Sequence, residues 1–403
     1  MVPALPRILR GLGFAGLLLA AAACRGRAQD AAADPIARLV DSLRPSVERA
    51  TGLTFKRSPR FATRSRAQVR AYLVAKIAQE LPPERLAAMG DAYRLLGLIP
   101  DSLDLQQLLM SLYEEQVAGF YEPDSGMLFV LAESDPNSPE LRFVVAHELV
   151  HALQHQYLPL DSIMKQRWNN DRLAAAQAVL EGQATLASIL MMMPGQDLLA
   201  DDTTWELFRE QVSAARGSMA VFARAPRIIQ EGLLFPYVSG ASFMRWWARA
   251  HPGESPPYGA AMPVSTEQVL HPARYAAGDL PLELPPADSG ARLGESDVLG
   301  ELEIRILEAE LSGAEAVSTT VPIGWAGDRY RLYRSDAGPA LVWRTAWDDA
   351  RAAERFRTGA GARLAARSRP GYRTEVTALE VMGHPGVRVV VAPERWKGWA
   401  GLN

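Results

Sequence analysis

The chain has 403 residues, 48% of them hydrophobic, and carries 43 basic against 46 acidic side chains. This length and composition allow a substantial buried core and predict two or three domains. Charge is nearly balanced and the arginines are scattered without a long basic block, so we expect no nucleic-acid partner.

The N-terminus has the layout of an export signal. Basic residues precede a run of apolar or small residues over 11–23, which is too short to span a bilayer comfortably. The end from Ala21 to Cys24 resembles the bacterial lipobox, in which the cysteine is lipidated. Cys24 is the only cysteine, which excludes an intramolecular disulfide. We predict a signal peptide over 1–23 and a lipid-anchored protein of the bacterial cell envelope. The alternative is a plain secretory signal cut near Ala23 or Ala28.

The first part of the mature chain has a helical pattern. Residues 25–50 predict a tether followed by a short helix. Apolar positions at helical spacing over 65–88 predict a helix interrupted at Leu81–Pro83, and the same pattern resumes over 84–96. A further helix is predicted over 102–117, capped by Asp101 or Ser102.

Residues 119–132 change this pattern. Two short apolar runs flank Pro123–Gly126, which is strong turn chemistry, and they predict a β-hairpin. The hairpin is either an edge to which an extended peptide can add as a further strand or an ordinary structural element.

A candidate metal site follows within 141–157, a stretch without Gly or Pro that predicts a helix. His147 and His151 stand at i and i+4, on one face and about one turn apart, so both imidazoles can bind one cation. Such nitrogen ligands suit zinc, and Glu148 on the same turn is then the general base for a water molecule. The alternative is a buried amphipathic helix with two satisfied histidines.

A second helix, predicted over 172–193 with a cap at Asn170–Asp171, is rich in small residues that permit close helix packing. Glu181 is the only acid in this apolar stretch. Since burial of an isolated carboxylate is costly, Glu181 needs a partner, and a metal ion is one such partner.

These motifs resemble the gluzincin branch of the zincin metallopeptidases. The resemblance extends from Ala146–Gln154 to Val179–Ala184 and Ser265–Pro272, which together look like a little-characterised family of bacterial envelope proteins of that type. It implies a strand near the metal helix, one zinc ion and a peptide or protein substrate. It also implies His147 and His151 as the first two ligands, Glu148 as the base and Glu181 as the third ligand.

His155 repeats the four-residue spacing once more. On a straight helix it lies about 12 Å along the axis from His147, too far to share an ion with it, so we expect a supporting or surface role. Peptide hydrolysis also needs a donor to the tetrahedral oxyanion. The candidates are His271, Tyr237 and Tyr275, each with a core or capping role as the alternative.

The pattern changes again towards the C-terminus. Residues 236–247 predict an apolar helix with a close-packing Gly, and Ser265 with Gln268 forms a capping box that opens a short helix. Residues 281–298 have the composition of a linker. The rest predicts a smaller α+β unit with a hairpin over 329–345, a helix over 348–357 and two strands around 383–386, with His384 as a turn residue.

The overall prediction is a mainly helical α+β protein. A zincin-like metallopeptidase domain over 51–280, with a small hairpin or sheet before its metal helix, precedes a small α+β domain over 299–403. This second domain shapes the cleft or contacts a protein partner. The predicted function is zinc-dependent peptide hydrolysis in the cell envelope. The alternatives are a chaperone or assembly factor on a peptidase fold and a zinc hydrolase of a cell-wall amide.

Overall fold

The structure, a computed structural model, describes residues 34–80, 82–116, 119–165, 169–215, 219–285, 293–317, 324–367 and 369–398. The predicted signal peptide and Cys24 lie outside these ranges.

The fold is α+β with two separate small sheets. Up to residue 285 its elements are α1 (Pro35–Thr51), β1 (Arg60–Arg64), α2 (Arg66–Glu80), α3 (Pro83–Leu96), α4 (Leu105–Gln116), β2 (Gly119–Glu122), β3 (Met127–Leu131), α5 (Pro139–Gln154), α6 (Leu160–Lys165), α7 (Asn170–Met192), α8 (Asp202–Ala215), α9 (Ala220–Arg224), α10 (Arg227–Ala250), α11 (Thr266–Leu270) and α12 (Pro272–Ala276). The remaining elements are β4 (Leu293–Asp297), α13 (Gly300–Ser312), β5 (Trp325–Ser335), β6 (Gly338–Trp347), α14 (Ala350–Phe356), α15 (Ala362–Ala366), β7 (Tyr372–Val381) and β8 (His384–Pro393).

The predicted hairpin is present as β2 and β3, and it belongs to a larger sheet. β1 pairs in parallel with β3, so the strand order is β1-β3-β2 and β2 forms one edge. The edge strand lies against α5, and Gly119 allows this approach. A Cβ there would lie 2.9 Å from the Val144 side chain.

Helices α5 and α7 begin at well-defined caps. The Ser138 hydroxyl accepts a hydrogen bond from Leu141 N at 3.1 Å, and Pro139 occupies the first helical turn, where its missing N–H costs nothing. For α7 the cap is Asn169, whose side chain accepts from Arg172 N at 2.7 Å. The predicted cap at Asn170–Asp171 is therefore one residue late. Asp171 is buried and accepts hydrogen bonds from Thr266 instead.

Helices α7 and α10 touch backbone to backbone. A Cβ at Gly182 would lie 2.2 Å from the carbonyl carbon of Gly240, and one at Gly240 would lie 2.2 Å from Ala178 O. The predicted close-packing glycine is thus confirmed. The helix around it begins at Arg227 and contains Pro236 in its interior. This contact brings α10 directly behind the turn that carries Glu181.

Two other sequence expectations are corrected in this region. The short helix predicted after the tether is present as α1, but it already begins at Pro35 and packs its Leu43 and Val47 into the core formed with α5 and α7, so the tether does not extend to residue 50. Helix α4 begins at Leu105 and not at 102, because Asp104 accepts from Gln107 N at 2.9 Å.

By length and hydropathy, α7 is the one helix in the described ranges that qualifies as a candidate membrane span. However, 83% of its qualifying window is buried inside the fold.

The C-terminal sheet has the order β4-β5-β6-β8-β7 and is antiparallel throughout. It contains the predicted hairpin, now β5 and β6, and the predicted strand pair, now β7 and β8. His384 is the first residue of β8, paired with Val381, and not a turn residue.

The predicted linker 281–298 is not a separate connector where the structure describes it. Leu282 N donates to Ala326 O at 2.8 Å, Leu284 is buried, and β4 is a strand of the second sheet. One hydrophobic core also runs through both predicted domains, joining residues of α7 and α10 to residues of α13 and β6. The C-terminal sheet is therefore built onto the helical part.

Candidate metal centre

The candidate ligands come from two packed helices, α5 and α7. His147 Nε2 lies 3.0 Å from Glu181 Oε2, His151 Nε2 lies 3.2 Å from the same oxygen, and the two imidazole nitrogens are 3.1 Å apart. All three side chains are buried. The four-residue spacing on α5 supplies one side of this triangle, and the α5–α7 contact supplies the other two.

The triangle fits a metal ion. Three ligands at about 2.0–2.1 Å in a tetrahedron are separated by roughly 3.3–3.4 Å, close to the observed spacing. In the described part of the chain this is the one group of three or more His, Cys, Asp or Glu residues close enough to share an ion. Two imidazoles and a carboxylate form a donor set that is typical of catalytic zinc.

The environment keeps Glu181 ionised. Burial raises the pKa of its carboxyl, but attraction to His151 and the close polar contacts of both imidazole rings outweigh this effect and hold the pKa below its ordinary value. A carboxylate must be deprotonated to bind a metal, so Glu181 is already in the form that coordination requires.

Glu148 is held by the edge strand. It is buried on α5 beside His147, and its Oε2 accepts a hydrogen bond from Tyr121 N of β2 at 2.6 Å. A bond from a backbone N–H to a carboxylate is charge-assisted and stronger than a neutral one. The hairpin before the metal helix therefore orients the predicted base.

His155 lies outside the ligand group, as the helical spacing predicts. It follows the last residue of α5, and its Nδ1 is 2.7 Å from the Tyr121 hydroxyl. Tyr121 thus contacts the metal helix twice, through its backbone to Glu148 and through its side chain to His155. This gives His155 a supporting role in fixing the edge strand.

The His147 ring is oriented by packing. Tyr237 of α10 lies 5.9 Å from it between ring centroids and within 21° of parallel, and Phe143 lies 6.5 Å away within 26°. The Tyr237 side chain is itself buried. Of the three tyrosine and histidine candidates for an oxyanion donor, Tyr237 is the one with a described contact to a candidate ligand.

His271 and Tyr275 are engaged elsewhere. His271 Nε2 lies 2.9 Å from Glu301 Oε1 and 3.0 Å from a guanidinium nitrogen of Arg305, both on α13. The Tyr275 hydroxyl donates to Ala261 O at 2.6 Å. None of these described contacts is with the candidate ligands, and those of His271 join the end of α11 to α13.

Sequence reasoning missed a polar network behind His151. Gln154 is fully buried, and its Oε1 lies 2.9 Å from His151 Nδ1. Its Nε2 contacts α7 at Leu180 O and at Gln183 Oε1. The available signal was a glutamine three residues after His151, on the buried face of the same helix.

Comparisons with known proteins add little about the group formed by His147, His151 and Glu181. A family model described as a domain of unknown function (DUF8575) matches residues 291–395, the C-terminal sheet unit. No curated protein matches the chain. A solved structure from Chloroflexus aurantiacus, described as "a putative hydrolase with a novel fold", is similar at 16% identity and a TM-score of 0.39, covering 63% of this chain and 91% of that one.

Proposed function

We propose that this protein is a zinc-dependent peptidase of the gluzincin type. The observation that carries the proposal is the convergence of His147 Nε2, His151 Nε2 and Glu181 Oε2 within 3.2 Å of one another, with Glu148 on the same turn of α5. The buried His–His–Glu group supports a metal site as such. The choice of zinc and of peptide substrates rests on the donor set and on the sequence motifs.

The chain would use these residues as follows. Zinc, when bound, supplies Lewis acidity that lowers the pKa of water and polarises a carbonyl group. Glu148 takes a proton from the attacking water and returns it to the leaving amine. Its hydrogen bond from Tyr121 N keeps the carboxylate at a fixed position for both transfers.

Strand β2 would receive the substrate. It is an edge strand beside α5, so an extended peptide that pairs with it is brought alongside Glu148. Tyr237, stacked on His147, is our candidate for donating a hydrogen bond to the tetrahedral oxyanion. Export and lipid anchoring at Cys24 belong to the same proposal and rest on the N-terminal sequence alone.

A hydrolase explains Glu148 better than a binding module does. A chaperone or assembly factor on the same fold needs no general base beside two candidate metal ligands, whereas hydrolysis requires one. The same geometry would also serve hydrolysis of a cell-wall amide. A peptidase and a cell-wall amidase of this type would differ in the substrate that they cleave.

The test compares wild-type protein with the Glu148→Gln variant, both loaded with zinc and incubated with an unfolded protein substrate. We expect equal zinc content and loss of cleavage by about 10²- to 10⁴-fold in the variant. Equal cleavage by both proteins would refute the role of Glu148. If neither cleaves protein but wild type releases amine from peptidoglycan fragments, the substrate is the cell-wall amide.

A further inference from the structure

The two histidines of the candidate metal centre are supported in different ways. His151 Nδ1 has a hydrogen-bond partner, Gln154 Oε1, at 2.9 Å. His147 Nδ1 is buried and has no such partner among the described residues, and its ring is instead held by packing against Phe143 and Tyr237. Of the two candidate histidine ligands, His151 is therefore the one whose Nδ1 atom is held by a described hydrogen bond.

The orientation of the Gln154 amide is determined by its other end. Its Nε2 lies 2.9 Å from Leu180 O and 2.8 Å from Gln183 Oε1. A backbone carbonyl can only accept, so the end of Gln154 that faces Leu180 must be the NH₂ group. The end that faces His151 is then the carbonyl oxygen, which can only accept as well.

The tautomer of His151 follows from this orientation. With an acceptor at Nδ1, a neutral imidazole must carry its proton there, and Nε2 is left with a free electron pair. That nitrogen is the one directed at Glu181 and His147. The amide network therefore prepares His151 for coordination through Nε2.

The network continues beyond Gln154 to a loop. The Tyr258 hydroxyl donates to Gln183 Oε1, so this oxygen accepts from both Gln154 and Tyr258. Because that oxygen has two donors, the Gln183 amide is also fixed. Burial raises the pKa of the Tyr258 hydroxyl well above its ordinary value, so the group keeps its proton at neutral pH.

We propose that Gln154 is a positioning residue for the metal centre, fixing the His151 tautomer and tying α5 to α7 next to Glu181, with Gln183 and Tyr258 as its support. The inference rests on the proposed metal site, but not on peptidase activity. Leu180 directly precedes Glu181, so one glutamine side chain links both helices that supply candidate ligands. Loss of such a partner behind a metal-binding histidine typically costs about 10- to 100-fold in metal affinity.

The experiment uses the Gln154→Met variant, which keeps side-chain length and removes both hydrogen-bonding ends. Zinc affinity of the full chain is measured by competition with a chromophoric chelator. We expect binding weaker by about 10- to 100-fold in Gln154→Met and a smaller loss in Tyr258→Phe. The matched control is Gln156→Met, two residues along, whose side chain bonds to Arg57 and not to a candidate ligand.

A second measurement keeps the inference testable without metal. Nitrogen-15 correlation spectra of histidine side chains in the metal-free protein report which ring nitrogen carries the proton. We expect His151 to be protonated at Nδ1 in wild type and to become a mixture of tautomers in Gln154→Met. Unchanged zinc affinity in Gln154→Met, or a wild-type His151 without a proton at Nδ1, would overturn the proposal.

The outcomes separate this inference from the proposed function. If wild-type protein binds no zinc, the metal function fails, and the tautomer measurement still decides the role of Gln154. If wild type and Gln154→Met bind zinc equally, only the positioning role fails.

Discussion

The close contact between α7 and α10 gives a prediction whose size can be worked out from distances. A Cβ at Gly182 would lie 2.2 Å from Gly240 C, 2.4 Å from Gly240 O and 2.7 Å from Ala241 N. Ordinary carbon contacts lie at about 3.5–4.0 Å, so in Gly182→Ala the two helices must separate by roughly 1 Å. All three atoms belong to the backbone, so no side chain can move aside.

The energetic consequence combines two opposing effects. Overpacking of this kind costs about 1–3 kcal/mol of stability. Because the neighbouring backbone atoms are rigid, we expect a cost at the upper end of that range. Replacing a helical Gly with Ala recovers about 1 kcal/mol. We therefore expect Gly182→Ala to lower the free energy of unfolding by about 2 kcal/mol. Metal ligands tolerate about 0.2 Å, so zinc affinity should fall as well, because Glu181 is the neighbouring residue.

The assays are chemical denaturation and zinc competition. The matched control is Gly232→Ala on α10, where an added Cβ meets no atom within 4 Å. That control should gain about 0.5–1 kcal/mol and keep its zinc affinity. A Gly182→Ala protein as stable as the control, with wild-type zinc affinity, would refute the packing argument.

Three further predictions concern the oxyanion donor, pH and the anchor. Tyr237→Phe should keep zinc and fold but lower kcat by about 10²-fold or more, and an unchanged kcat would remove Tyr237 from catalysis. Burial raises the pKa of Asp171 to about 7, although hydrogen bonds from Thr266 oppose this effect. The folded pKa therefore exceeds the unfolded value, so the carboxyl contributes stability that is present below about pH 4 and lost as the pH rises to about 7. Denaturation should show wild type losing stability relative to Asp171→Asn across that range, and a difference independent of pH would contradict the shift. Full-length protein expressed in bacteria should partition to membranes and incorporate labelled palmitate, and the Cys24→Ser variant should do neither. Incorporation of palmitate into the Cys24→Ser variant would disprove the anchor.

Local patterns were enough for the elements that carry the site. The turn at Pro123–Gly126, the i, i+4 histidines and the lone acid in an apolar helix each depend on residues near one another in the chain. Helix and turn geometry follow from such spacing. The structure accordingly contains the hairpin, the α5 ligand face and Glu181 beside it.

These local patterns could not predict contacts between residues that are distant in the sequence. The pairing of β1 with β3 joins Arg60 to Met127, and nothing in a five-residue strand specifies its partner. Asp171 looks like a helix cap locally, but Thr266 and the backbone near Gly300 enclose it. His271 was a plausible oxyanion donor by residue type, and only the packing of α11 on α13 gives it Glu301 and Arg305 as partners.

The metal centre itself can be tested by crystallography of zinc-loaded protein with diffraction data on both sides of the zinc absorption edge. We predict one strong anomalous peak within about 2.0–2.2 Å of His147 Nε2, His151 Nε2 and a carboxylate oxygen of Glu181. The same peak should be absent in Glu181→Ala or reduced to low occupancy. A wild-type map without a peak at this position, or with zinc bound by other residues, would contradict the account.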